Sequence, residues 1–138
     1  MSRGLGDVYK RQEQHVGDSA DVARDDAPMI VRKMLEADII VLASPVYFMN
    51  INGQLKTLID RTYSHFMDLK NKEFYYITAC ADNAESTADF AITGFRGFVM
   101  CLSNPTERGM IKAIGLGRKG SVKGTKFMQQ AYKMGKGV

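Results

Sequence analysis

The chain has 138 residues, of which 45% are hydrophobic and 25% are charged, and its formal net charge is +4. This length suits one domain with a single core, and no apolar run approaches the roughly 18 residues that a membrane-spanning helix needs. No secretory hydrophobic segment is recognisable, and the only cysteines, Cys80 and Cys101, lie in apolar surroundings. We therefore expect a cytoplasmic protein with reduced thiols and no metal site.

The first 24 residues give little sign of regular structure. Residues 1–12 (MSRGLGDVYKRQ) have neither helical nor strand periodicity, and we interpret them as a non-native or disordered leader. Residues 13–24 are polar and rich in small residues, which is typical of a loop; a makeshift strand around His15–Val22 is the weaker alternative. We expect one domain over residues 13–138.

A helix is predicted to begin at Asp26. The Asp26 side chain can accept hydrogen bonds from the free N–H groups of a first turn, and Pro28 fits there because those groups have no intrahelical partner. We interpret the Asp25–Asp26 pair as capping and not as acid–base chemistry. The apolar spacing predicts an inner face made of Met29, Ile30, Lys33, Met34 and Ala37.

Residues 37–66 read as a strand, a loop and a helix. Ile39–Ala43 is an unbroken apolar run, typical of a strand covered on both faces. The loop Ser44–Asn52 combines Ser, Pro, two aromatic residues and two Asn, and Gln54–Phe66 carries a helical apolar stripe. Open α/β sheets bind ligands at the carboxyl ends of their strands, so this loop is the first candidate binding segment.

A second strand and helix follow. Glu73–Ala79 is rich in β-branched and aromatic residues and predicts a second parallel strand, with Cys80–Glu85 as its exit loop. Ser86–Asp89 fits a capping box at the start of a helix. The predicted buried face of this helix consists of Ala88, Ala91, Ile92, Phe95, Val99 and Leu102.

The last third of the chain predicts a third strand and a final helix. Gly109–Gly117 contains the strand and its exit, and the G-x-G at its end lacks the context of a dinucleotide fingerprint. Gly124 and Thr125 are predicted to cap the final helix, and Gly135 to end it. From residue 108 onward there are eight basic residues and no acidic one. They alternate with glycine and apolar residues, so solvated surfaces are favoured over a nucleic-acid or other polyanion site.

Three motifs occur in a fixed order: SPVYFMN at residues 44–50, QLK and IDR within residues 54–61, and GSVKGTKFMQQAYKMGKGV at residues 120–138. Together they resemble the NAD(P)H-dependent FMN reductase branch of the flavodoxin-like superfamily over about residues 24–138. Within that branch the closest pattern is that of the iron–sulfur flavoproteins, but their cysteine cluster is missing because no cysteine precedes Cys80.

The resemblance implies a flavodoxin-like α/β fold in three layers, with a parallel sheet and helices on both faces. A full family member has five strands in the order 2-1-3-4-5, and three are clear here. The family's first strand and its S-x-R-x-x-S-N-T-like phosphate loop have no counterpart in residues 1–24, so we expect an N-terminally truncated domain. Ile39–Ala43 would then be an unpaired, flat apolar edge that can pair with another chain.

The resemblance also implies a function: electrons pass from NAD(P)H through FMN to a small-molecule acceptor, such as a quinone or nitro compound, in a homo-oligomer. The flavin carries the chemistry, so no catalytic acid or base is predicted. Arg118 and Lys119 are candidates for a nicotinamide cofactor's phosphate, and Asn52 for a polar contact to the ring. The expected cofactor-binding residues are Ser44, Pro45, Val46, Tyr47, Phe48, Asn50, Ala79, Cys80, Ala81 and Asp82.

Alternatives remain open at this point. Tyr47 and Phe48 could serve in loop packing or subunit contact, and Cys80 is better interpreted as a buried strand-end cysteine than as a redox thiol. The whole chain could also be a half-domain without a phosphate grip, which binds FMN weakly or not at all and has no enzymatic activity.

Overall fold

The structure is a computed structural model, and it describes residues 26–138. The expectations for the leader at residues 1–12, for the polar segment up to Arg24 with its alternative strand at His15–Val22, and for Asp25 lie outside the described residues.

Helices and strands alternate along the described chain, as predicted. The three strands are parallel, and β2 lies between β1 and β3. Each strand is followed by a helix, which is the arrangement that joins neighbouring parallel strands. The elements are α1 (Ala27–Glu36), β1 (Ile39–Pro45), α2 (Gly53–Arg61), a short 3-10 turn (Tyr63–His65), β2 (Glu73–Ala79), α3 (Glu85–Val99), β3 (Thr106–Ala113) and α4 (Lys126–Lys136).

The strand register brings the three carboxyl ends level with one another. Pro45 lies opposite Ala79, and Ala79 lies opposite Ala113. Near the other end of the sheet, β3 carries one extra residue, Arg108, where the register with β2 shifts, and its guanidinium pairs with Glu73. The segments that leave the strands therefore start side by side at one edge.

The core lies between the sheet and α3. The ring of Tyr76 on β2 stacks on Phe95 of α3 with centroids 5.5 Å apart, and Phe74 meets Phe98 edge to face at 6.4 Å. Full burial of one such side chain contributes on the order of 1.5–3 kcal/mol. The predicted buried face of α3 is confirmed, since each of its members is at most 7% exposed: Ala88, Ala91, Ile92, Phe95, Val99 and Leu102.

The prediction that β1 is covered on both faces is wrong for the described residues. Ile40, Leu42 and Ser44 are buried on one face, whereas Val41 on the other is 54% exposed and Ala43 is also exposed. Among the described helices, α4 packs on β3. In the described part of the chain, β1 pairs only with β2 and forms one edge of the sheet.

The predicted inner face of α1 is confirmed in part. Met34 is buried, and Ile30 and Ala37 pack against the core. Met29 and Lys33 are exposed, whereas Ala27 and Val31 are buried. The helix is amphipathic, and its buried stripe is rotated from the predicted one toward Ala27 and Val31. Asp26 does lie at the N-cap position, but its side chain forms no capping hydrogen bond.

Three predicted helix and strand boundaries differ from those in the structure. The helix α3 begins at Glu85 without a Ser86–Asp89 capping box. The strand β3 begins at Thr106, because its first residues pair with β2, and it ends before Gly115. Thr125 lies at the N-cap of α4 as expected, but Gly135 lies inside this helix and Gly137 follows its end.

No helix between residues 26 and 138 is long and apolar enough to cross a membrane. In the same residues, no three His, Cys, Asp or Glu side chains are grouped so that they could hold a metal ion.

Candidate functional site

Loop 1, residues 46–52 after β1, contains a tight turn with unusual residues. Tyr47 and Asn50 exchange two backbone hydrogen bonds of 2.9 and 3.0 Å. Between them, Phe48 and Met49 have φ angles of 48° and 61°. Positive φ at both central residues defines a type I′ turn, which normally carries Asn-Gly. A bulky pair in this conformation is strained, and strain of this kind is concentrated at functional sites.

The same turn presents apolar side chains to solvent. Phe48 is fully exposed (106%), and Tyr47 and Met49 are more than half exposed. The N–H groups of Phe48 and Met49 donate no backbone hydrogen bond within residues 26–138. The turn therefore offers an aromatic ring next to two available backbone donors.

Polar side chains at the base of loop 1 hold the turn in place. The Ser44 hydroxyl accepts from the N–H of Asn52 at 2.9 Å and donates to the carbonyl of Pro45 at 2.7 Å. The Asn52 oxygen accepts from the N–H of Leu55 at 2.9 Å and so caps α2, and the Asn50 oxygen accepts from the N–H of Ile51 at 2.8 Å. These three side chains build the loop, which leaves ligand contact to its backbone and aromatic residues.

Loop 2, residues 80–84 after β2, lies directly beside loop 1. The N–H of Val46 donates to the carbonyl of Ala79 at 2.8 Å. Cys80 is buried, and burial followed by the nearby Asp82 raises the pKa of its thiol. A thiol with a raised pKa is a poor nucleophile at neutral pH. The interpretation of Cys80 as a buried strand-end cysteine is thereby confirmed.

Asp82 lies beside the start of α3, where no side chain forms a capping hydrogen bond and the predicted capping box is absent. Its carboxylate accepts from the Thr87 hydroxyl at 2.6 Å and from the N–H of Ala84 at 3.1 Å. These hydrogen bonds, that of Thr87 first, hold the pKa of Asp82 below its ordinary value. A negative charge is favourable at a helix N-terminus, so Asp82 is ionised and stabilises α3.

Loop 3, residues 114–117 after β3, packs against loop 2. The N–H groups of Gly115 and Leu116 donate to the carbonyls of Asp82 and Cys80 at 2.7 and 2.8 Å. Gly115 has a φ of 70°, and a Cβ there would lie 2.7 Å from the side-chain oxygen of Asn83. The positive φ favours glycine here, and a Cβ would also force the exposed Asn83 side chain to rotate away. The G-x-G pattern that has no dinucleotide context in the sequence therefore serves to join the two loops.

The structure brings all ten predicted residues together along one sheet edge. Pro45, Val46 and Ala79 are half-buried at its base, Ser44 and Cys80 are buried, and the others are exposed. Sequence reasoning missed Met49, which completes the turn, and Gly115, which shapes loop 3. The two central residues between Tyr47 and Asn50 are bulky, and a sequence without Asn-Gly at these positions does not predict a type I′ turn.

The chemistry of this edge fits the ring of a flavin better than its phosphate. An isoalloxazine ring needs an apolar surface and N–H donors for its polar edge, and the turn of loop 1 has both. Phosphate binding at a helix start needs free N–H groups and no nearby negative charge. The Asn52 side chain accepts from the Leu55 N–H in the first turn of α2, and the negative charge of Asp82 lies beside the start of α3.

An apolar cleft of about 670 Å³ lies elsewhere, between α2, the 3-10 turn and α3. Lys56 and Asp60 form an ion pair at its side, and Gly94 and Gly97 keep it open along α3. A Cβ on Gly94, which lines the cleft, would lie 3.2 Å from the Asn50 side-chain oxygen, so the cleft borders loop 1.

Segments of this chain match curated proteins that are named as flavin-dependent. An iron-sulfur flavoprotein of Archaeoglobus fulgidus is 47% identical over 53 residues, which are 37% of this chain and 24% of that protein. An FMN-dependent NADH:quinone oxidoreductase of Cereibacter sphaeroides is 39% identical over 56 residues, which are 41% of this chain and 28% of that protein. The matches thus span only about a quarter of the length of these relatives.

A solved structure, that of the Trp repressor binding protein from Bacillus subtilis, matches with a TM-score of 0.63 and 22% identity over 79% of this chain and 73% of that one. This likeness shows the fold, and the expected flavodoxin-like α/β architecture is confirmed. A sequence model described as NADPH-dependent FMN reductase matches residues 5–96. That match spans most of the chain, and the chain therefore belongs to the NADPH-dependent FMN reductase family.

Proposed function

We propose that this chain is the ring-binding part of an FMN-dependent oxidoreductase that takes electrons from NADPH or NADH and passes them to a small acceptor such as a quinone or nitro compound. The observation that carries the proposal is the strained turn of loop 1, with its fully exposed Phe48, beside loop 2 at the ends of adjacent parallel strands. Family membership and the names of the two curated relatives support it.

In this proposal the residues bind and orient, and they do no acid–base work. Tyr47 and Phe48 cover the ring, and the backbone of Val46–Asn50 and of Ala79–Asp82 contacts its polar edge. The chemistry supplied by FMN when it is bound is electron transfer between the nicotinamide and the acceptor. The buried Cys80 thiol takes no part, because its pKa is raised and it donates to the Asp82 carbonyl.

A second candidate is that the 138 residues bind FMN weakly or not at all and have no enzymatic activity. It is favoured by the side chains of Asn52 and Asp82, which lie in the first turn of α2 and beside the start of α3. The two candidates predict different flavin binding. A chain that recognises only the ring binds riboflavin and FMN equally, whereas a chain without a site binds neither.

The test is a titration of the purified chain with riboflavin and with FMN, followed by quenching of flavin fluorescence. We expect saturable binding of both, and we expect Phe48→Ala to weaken it about tenfold, since loss of an aromatic contact worth about 1.4 kcal/mol has this effect. The matched control is Phe90→Ala, which removes an exposed phenylalanine of α3 away from the loops. Absence of binding to either flavin would exclude the first candidate and leave the second.

Self-association stays a prediction. The cleft between α2 and α3 is lined by Phe66, Phe98 and Leu102, and an apolar surface of this kind supports self-association. Light scattering of the purified chain measures the mass in solution, and a monomeric mass at micromolar concentration would contradict the expectation.

A further inference from the structure

The apolar cleft between α2, the 3-10 turn and α3 has the size of a small-molecule site. Its volume of about 670 Å³ lies within the roughly 300–1,000 Å³ that is typical of pockets for organic ligands. One side is formed by Ile59, Tyr63 and Phe66, and the other by Phe98 and Leu102. None of the residues predicted to bind FMN lines this cleft, so the flavin site does not account for it.

Two glycines leave the α3 side of the cleft open. Gly94 and Gly97 are three residues apart and therefore lie on one face of the helix. A Cβ on Gly97 would meet nothing within 4 Å, so close packing does not require glycine at this position. Glycine is also less favourable than alanine inside a helix. The open space over Gly97 therefore has a cost in helix stability that no contact within residues 26–138 explains.

The charges that line the cleft cancel one another. Lys56 and Asp60 form an ion pair of 2.5 Å, and no other described residue of the lining is charged. The Thr62 hydroxyl donates to a backbone carbonyl of α2 at 2.7 Å, and the Cys101 thiol donates to one of α3 at 3.3 Å. A charged ligand would lose its hydration here without gaining an opposite charge. The cleft therefore favours a neutral molecule over an anion such as a nucleotide.

Aromatic rings form much of the lining. Tyr63 and Phe66 stack with their centroids 5.6 Å apart and an angle of 20° between their planes. On the α3 side, Phe98 is held by an edge-to-face contact with Phe74 of the core. Aromatic rings gain interaction energy with one another beyond that of apolar burial alone. A planar aromatic ligand should therefore bind more tightly than a saturated one of equal size.

We propose that the cleft binds a neutral, planar aromatic molecule of the size of naphthalene. The ring would lie over Gly97, between the aromatic side chains of the two walls. A Cβ on Gly94 would lie 3.2 Å from the Asn50 side-chain oxygen, so this site is next to loop 1 but separate from it. The proposal does not rest on the proposed function, because it needs neither a flavin nor a nicotinamide.

The test is a calorimetric titration of the full chain with 2-naphthol, which is neutral at pH 7. We expect saturable binding of one molecule per chain, about threefold or more tighter than that of 2-decalol, its saturated analogue. Gly97→Leu fills the open space and should weaken the binding of 2-naphthol about tenfold or more. The matched control Gly135→Leu makes the same change inside α4, where a Cβ also meets nothing within 4 Å, and should keep the affinity. Urea unfolding checks that both variants fold.

A second readout uses Cys101, which lines the cleft and is exposed. Saturating 2-naphthol should slow the alkylation of this thiol by iodoacetamide several-fold in the natural chain, because the bound ligand covers it. It should have no such effect in Gly97→Leu. If that variant fails to fold, protection of Cys101 in the natural chain is the deciding result. FMN should not displace 2-naphthol, because we place the flavin at loop 1.

Absence of saturable binding of 2-naphthol, equal binding of 2-decalol, or a lack of protection of Cys101 would overturn the proposal. So would an equal effect of the two leucine variants. Displacement of 2-naphthol by FMN in direct competition would assign the probe to the flavin site and would also overturn it. The same holds for a dimeric natural chain that Gly97→Leu makes monomeric in light scattering, since a second copy of the chain would then cover the cleft.

Discussion

The strained turn of loop 1 leads to a prediction about stability. Phe48 and Met49 have positive φ, a conformation that Asn and Gly adopt far more readily. We expect the double variant Phe48→Asn/Met49→Gly to be more stable than the natural chain, because it restores the Asn-Gly pair of a type I′ turn. The same variant should lose flavin affinity, since it removes the exposed ring.

The size of the effect follows from the backbone and from exposure. A left-handed conformation costs an ordinary residue about 1–2 kcal/mol, of which Gly relieves all and Asn a part. The extra freedom of Gly in the unfolded chain opposes this gain by about 0.5–1 kcal/mol. The fully exposed Phe48 ring has no packing to lose. Met49 is only half exposed, so its replacement by Gly also removes part of its packing. The net gain in the free energy of unfolding is therefore smaller, about 0.5–1 kcal/mol.

Urea unfolding followed by circular dichroism measures this gain. The midpoint should rise at unchanged slope, because the surface exposed on unfolding stays nearly the same. The control Phe90→Ala, an exposed ring on a regular helix, should change stability by no more than about 0.5 kcal/mol. A double variant that is no more stable than the natural chain would refute the argument from strain.

Three further outcomes are expected. Gly115→Ala should destabilise the chain by about 0.5–1.5 kcal/mol more than Gly120→Ala in urea unfolding, because both glycines have positive φ but only the first would force a neighbouring side chain, that of the exposed Asn83, out of its place; equal losses would contradict this. Arg96 on α3 donates hydrogen bonds to Glu107 and thereby lowers the pKa of the Glu107 carboxyl below 4.5. The stabilising effect of this carboxylate is therefore complete above pH 4.5 and is lost as the pH falls through the lowered pKa. The urea midpoint of Glu107→Gln should therefore change less than that of the natural chain between about pH 5 and 3, and parallel curves would count against the ion pair. Iodoacetamide should modify the exposed Cys101 well before the buried Cys80, as read by peptide mass spectrometry, and a reversed order would show that loop 2 opens.

Much of the fold could be predicted because its signals are local and repeated. The apolar face of α3 recurs at helical spacing over four turns, so a single side of the helix can be buried. The buried stripe of α1 includes Ala27 and Val31 in place of Met29 and Lys33, because the rest of the core sets the rotation of this helix. The exposure of one face of β1 depends on which elements pack against it, and the sequence of β1 does not contain that information.

The site was predictable in position but not in shape. A loop that leaves a parallel strand must lie at the carboxyl edge, which places Ser44–Asn50 before any coordinates are known. The positive φ angles of Phe48 and Met49 oppose the intrinsic preference of both residues, so no propensity predicts them. Asp82 reaches the start of α3 from two residues before the N-cap, because the path of loop 2 brings its carboxylate back to the Ala84 N–H and the Thr87 hydroxyl.

The level strand ends have a consequence for the order of folding. Ile39 lies opposite Glu73, and Glu73 lies opposite Thr106, so the two ladders join residues 34 and 33 positions apart. Because the entropy lost on closing a loop depends on its length, both ladders are equally costly to start. Neither pairing has an entropic advantage, and β2 belongs to both. The rate of folding should therefore be most sensitive to the large side chains that β2 buries fully, namely Phe74 and Tyr76.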